Sequence, residues 1–139
     1  MEIHYKIIGF LLMALAIVHI IFPRYFNWKQ ELSSMSLINR QMMQVHTFFI
    51  ALAVFLMGLL CVVATDDLVN TSLGRIISLG LGVFWGFRLF FQFFVYSPQL
   101  WKGKPFETIV HVVFSIIWMY LTLVFTLTFI NPHEHGRPL

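Results

Sequence analysis
Charge is scarce in this chain. Only 11% of its 139 residues are Asp, Glu, Lys or Arg, against about 25% in soluble globular domains. That deficit excludes a soluble domain with an ordinary hydrated surface. Cysteine is nearly absent as well. Cys61, the one cysteine, has no partner for an internal disulfide. It lies in an apolar run, where a thiol is expected to be inert and structural. The formal charge is +3, but Lys and Arg are dispersed over loops and helix ends, as membrane topology places them. No nucleic-acid partner is expected. Long linkers, low-complexity segments and internal repeats are also missing.

Apolar residues fill the space that charge leaves. They make up 59% of the chain, with 16 Phe and 4 Trp among them. A hydrocarbon core of about 30 Å needs about 20 apolar residues in a helix. Four segments qualify, at about residues 3–22, 44–64, 73–96 and 106–130. The first has no small-x-small cleavage site, so it reads as a retained span rather than a signal peptide. Pro23 is expected to end it. Ser33, Ser34 or Ser36 is expected to cap the second helix, and Pro105 suits the first turn of the fourth. The expected fold is all-α, a four-helix transmembrane bundle with up-down topology, as a single domain over 1–139. The tail 131–139 is expected to be flexible.

Up-down topology puts loops one and three on one side. They carry Arg24, Lys29, Arg40, Lys102 and Lys104, against Lys6, Arg75 and Arg137 on the other side. The positive-inside bias places loops one and three in the cytoplasm. Trp28 with Lys29, and Trp101 with Lys102 and Lys104, suit headgroup anchors.

Polar residues within the spans gather toward that same side. His19 ends the first span, and Asn39, Arg40, Gln44 and His46 open the second. Arg88, Gln92 and Tyr96 lie late in the third, and Glu107 and His111 early in the fourth. At about 1.5 Å per residue, they lie roughly 3–13 Å below the loops. Small residues, which mark packed faces in membrane helices, run in step with several of them. Gly9, Ala16 and His19 share a stripe, and His46 and Ala53 are two turns apart. Thr108, His111, Ser115, Thr122 and Thr126 follow one face, and Gly82-x-x-x-Gly86 permits close contact beside Arg88. An ionisable residue inside a span is by default a site hypothesis with a partner expected.

Four chemistries fit these residues. The plainest is an ion pair between Arg88 and Glu107, which reduces the cost of burying either charge. The second is acid–base chemistry on a lipophilic molecule. There His46, His111 and Glu107 are the candidate catalytic groups, and Arg88, Gln92, His19, Tyr96 and Gln44 the candidate substrate-binding groups. The molecule's apolar part would lie among Phe84, Phe87, Phe91, Phe94 and Phe114. The third is a metal held by His19, His46, His111 and Glu107, although no helix carries the Glu-x-x-His pairs of di-iron bundles. The fourth is a haem between His46 and His111. His133-Glu134-His135 reads as a solvated tail.

The leading functional expectation is a small membrane protein that binds or acts on a lipophilic substrate, by acid–base or metal-assisted chemistry, with its cofactor undetermined. The alternatives are an accessory or assembly subunit of a membrane complex, a haem- or metal-binding protein, and a small transporter. Expected partners are the lipid bilayer, a lipophilic small molecule, and further copies of the chain or a larger complex.

The length and four-span plan are similar to those of glutathione- and eicosanoid-handling membrane proteins and DoxX-like proteins. The first group carries Arg-x-x-Asn-x-x-Glu in its second helix. The corresponding stretch here, Asn39-Arg-Gln-Met-Met-Gln-Val-His46, has no Glu. The second group shares no motif with this chain beyond topology.

Overall fold
The computed structural model describes residues 1–131. His133-Glu134-His135 and the rest of the expected flexible tail lie outside the described residues. In chain order the helices are α1 (Glu2–Tyr25), α2 (Trp28–Glu31), α3 (Leu37–Val63), α4 (Thr65–Asn70), α5 (Ser72–Phe94) and α6 (Pro105–Ile130), with a 3-10 turn at Pro98–Leu100 between the last two. No strand occurs among the described residues. Four of the helices, α1, α3, α5 and α6, are long and apolar enough to cross a membrane. The fold is therefore all-α, with the four spans of a transmembrane four-helix bundle. Within it, residues 2–65 and residues 66–131 form two compact units, each built on a pair of long helices.

The first unit packs α1 against α3. Its buried positions step by three and four residues, Ile8, Gly9, Leu12, Leu15 and Ala16 on α1 and Ala51, Val54, Gly58 and Cys61 on α3, as one helical face requires. The backbones touch at Gly9 and Gly58. A Cβ on Gly58 would lie 2.6 Å from the Gly9 carbonyl oxygen, and a Cβ on Gly9 would lie 2.7 Å from the Gly58 carbonyl oxygen. Lipid tails are as apolar as leucine, so close van der Waals packing of this kind, rather than exclusion of water, holds membrane helices together.

The end of α1 differs from the sequence reading, and the start of α3 agrees with one of its expected caps. α1 runs through Pro23 to Tyr25. Proline removes the hydrogen bond its own nitrogen would donate, and the two remaining residues of the last turn do not depend on that bond. α3 begins at Leu37, directly after Ser36, one of the three expected caps, which accepts from the Asn39 N–H. The amphipathic stretch that follows then extends the apolar span by about two turns. Between the two helices Asn27 takes a left-handed conformation, φ 51°, which asparagine tolerates better than most residues.

The second unit packs α5 against α6. Thr71 caps α5 by accepting from the Gly74 N–H at 2.9 Å. Gly82 sits against Thr126 and Phe125, and Gly86 against Thr122. The two small-residue stripes therefore mesh in antiparallel order. α5 ends at Phe94, two residues short of the expected 96. Ser97 then accepts from the Gln99 N–H at the 3-10 turn, Gly103 turns with φ 76°, and Pro105 opens α6.

The outer faces of all four long helices carry exposed Ile, Leu, Val and Phe side chains. In water they would be an aggregation surface. In a bilayer they are in their own solvent.

Candidate functional site
Arg88 and Gln92 lie one turn apart on α5, and Trp85 lies one turn before Arg88, so the three share a face. The facing residues on α6 are His111, Ser115 and Trp118, again three or four apart. Gln92 is only 8% exposed. Its amide nitrogen lies 2.8 Å from His111 Nδ1. An amide nitrogen only donates, so in this orientation of the amide Nδ1 accepts. Protonation of Nδ1 would require the amide to turn its oxygen to the ring. With the amide so turned, Nδ1–H donates to Oε1, so the pair stays hydrogen-bonded whether Nδ1 accepts or donates.

The chain between the helices closes over this pair. The Trp101 indole stacks on the His111 ring, with centroids 3.8 Å apart and planes 8° from parallel. Thr108 fixes the strap by donating to the Trp101 carbonyl at 2.6 Å. Phe93 meets the imidazole edge-on at 6.1 Å. His111 stays half-buried, held by one ring nitrogen and one ring face. The backbone carbonyl of His111 accepts from Ser115 Oγ at 2.7 Å.

Two turns deeper lies an aromatic layer. Trp85 and Trp118 stack at 5.0 Å and 14°, and Phe114 stacks on Trp118 at 5.4 Å. The Arg88 guanidinium carbon sits 5.3 Å from the centroid of Trp118 and 5.4 Å from that of Tyr96, within the range of cation–π attraction. Both indoles are almost fully buried, and neither Nε1 has a hydrogen-bond partner among the described residues.

The expected Arg88–Glu107 ion pair is not formed. Register explains why. The Gln92–His111 contact sets an antiparallel alignment in which Arg88 lies level with Ser115. Glu107 is two turns nearer the loop, about 12 Å along the axis. It is exposed in the first turn of α6, where the helix's positive end favours a carboxylate.

The remaining sequence-derived candidates lie in the first unit. His19 is half-buried. Its Nδ1 lies 2.8 Å from the Leu15 carbonyl, and its ring packs on Phe22 at 4.8 Å. Gln44 and His46 are exposed on α3. The packed face of that helix runs through Ala51 and Val54 rather than through His46 and Ala53. The metal and haem readings draw ligands from both units. Within neither unit do three His, Cys, Asp or Glu side chains converge among the described residues.

Two participants are missing from the sequence-derived set. Trp101, expected only as a headgroup anchor, covers His111. Trp118 follows His111 by two turns and so shares its face, a spacing that was available to find it. An apolar groove of about 300 Å³, lined by Val83, Gly86, Phe87 and Phe90, opens roughly 150° round α5 from Arg88. It is separate from the polar group.

The class these features define is an all-α polytopic membrane protein with a histidine–glutamine pair strapped beneath a tryptophan. No family model, curated protein or solved structure matches the chain significantly.

Proposed function
We propose that this protein binds a lipophilic molecule by its polar head at the Gln92–His111 pair, and that His111 exchanges a proton with it. The carrying observation is the 2.8 Å contact between Gln92 and His111. A buried amide and a titratable ring hydrogen-bonded across two membrane helices are costly in hydrocarbon, and ionisable groups so placed mark sites by default. With the amide in one orientation or the other, Nδ1 accepts or donates, and Nε2 takes the complementary role toward a ligand. Glu107, one turn nearer the loop, is assigned the exchange of protons with water.

Lipid extraction and mass spectrometry of the purified protein test the reading. A stoichiometric amphiphile distinct from bulk lipid is expected. It is lost from His111→Ala and Gln92→Leu, provided both still elute as folded protein. His46→Ala tests whether the first unit contributes. Wild-type protein carrying only the bulk lipid profile would replace the proposal with the accessory-subunit reading.

We also place loops one and three in the cytoplasm, on the charge bias. In a Cys61→Ala background, Lys102→Cys should resist a membrane-impermeant thiol reagent in intact cells and react after lysis. Labelling in intact cells would reverse the orientation.

A further inference from the structure
Among its described residues, the second unit has a surplus of buried donors and no anion to meet them. Arg88 is half-buried inside a span, six residues before the end of α5 and so about 9 Å below it. Its guanidinium touches two aromatic faces and no carboxylate. The acidic residues of this unit among the described residues, Asp66, Asp67 and Glu107, are all exposed. Trp85 and Trp118, 2% and 3% exposed, add two indole N–H groups without acceptors. A buried arginine without a counter-charge is expensive, and the usual remedies are a paired acid or an anionic ligand. The paired acid is absent among the described residues. Cation–π contact attracts the charge but leaves all five guanidinium N–H donors free for oxygen.

We propose that Arg88 makes the site selective for an anionic amphiphile, whose carboxylate or phosphate binds the guanidinium while its adjoining polar atoms reach Gln92 and His111. This rests on the binding reading above and adds the charge of the ligand. Arg88 and Gln92 are one turn apart, about 6 Å along the helix, so a single headgroup spans them. A guanidinium presents two parallel N–H groups that match the oxygens of either anion. Tyr96, two turns nearer the loop, covers the Arg88 charge until the ligand arrives. The aromatic layer of Trp85, Trp118 and Phe114 closes the bottom of the site and keeps water from competing for the guanidinium.

Binding of four probes of equal chain length to the full protein in nanodiscs, read by native mass spectrometry and tryptophan fluorescence, tests this. The probes are a fatty acid, a lysophosphatidic acid, a monoacylglycerol and a lysophosphatidylcholine. At least one anionic probe should bind about tenfold more tightly than the neutral one, the effect of one charge-assisted hydrogen bond. Which anion wins separates a carboxylate from a phosphate ligand. Arg88→Gln should bring the anionic probe down to the level of the neutral one. Arg88→Lys should keep a reduced preference, because it retains charge and loses the fork. If Arg88→Gln does not fold, the wild-type preference together with its reduction in Arg88→Lys decides the matter. Equal binding of all four probes, unchanged in Arg88→Lys, overturns anion selectivity and leaves the binding reading standing. No binding of any probe overturns both.

Discussion

Gly58→Leu should separate α1 from α3. The Cβ alone would come 2.6 Å from the Gly9 carbonyl oxygen and 3.0 Å from Met13 Cγ. Backbone cannot yield there as a flexible side chain can, so the helices must move apart. Overpacking in a well-packed core costs about 1–3 kcal/mol. Here the same change also removes the close approach that holds the pair, and in lipid no hydrophobic term remains to compensate. The expected result is loss of monodisperse protein on size exclusion and a large fall in thermal midpoint. Gly80→Leu is the control, since a Cβ at Gly80 meets nothing within 4 Å. Equal stability of the two variants would show that Gly9 and Gly58 do not form the contact described.

Trp118→Ala should be the most damaging truncation in the second unit. Trp118 is 3% exposed, stacks on both Trp85 and Phe114, and lies beneath the Arg88 guanidinium. Truncating a buried Trp in a soluble protein costs about 3–5 kcal/mol, part transfer and part cavity. In lipid the transfer part largely disappears, because the ring is as well solvated by tails as by protein. The cavity and the lost cation–π contact remain, together roughly 2 kcal/mol. Unfolding in mixed micelles measures this. Trp118→Phe should recover more than half of the loss. If Trp101→Ala costs as much as Trp118→Ala, the aromatic layer is not the main support of this unit.

The proposed site combines legible and illegible parts. The sequence places Arg88 and Gln92 on one helical face and His111 on the stripe of small residues, and both placements need only a 3.6-residue period. It also marks Gly82-x-x-x-Gly86 as a contact face, and the facing Thr122 and Thr126 complete that contact. The partner of Arg88 was not legible in this way. Nearness in the chain suggested Glu107, whereas the antiparallel register set Arg88 level with Ser115 and over the Trp118 ring. The contact of Trp101 with His111 was hidden for a related reason. A tryptophan beside two lysines in a loop suits the headgroup zone by composition, and only the fold of the strap turns its face onto His111.

Amino-acid order alone determined that this is a membrane protein of four helical spans, because span-forming hydropathy is a property of each segment taken by itself. It also determined the periodicity that puts the polar residues on particular faces. Tertiary structure decided which faces meet, at what register and under which loop. Those choices depend on the fit of Gly58 against Gly9 and of Gly82 and Gly86 against Thr126 and Thr122, and a shift of one turn would exchange every partner in the site. For that reason the Gln92–His111 pair, and the absence of a carboxylate beside Arg88, became visible only in three dimensions.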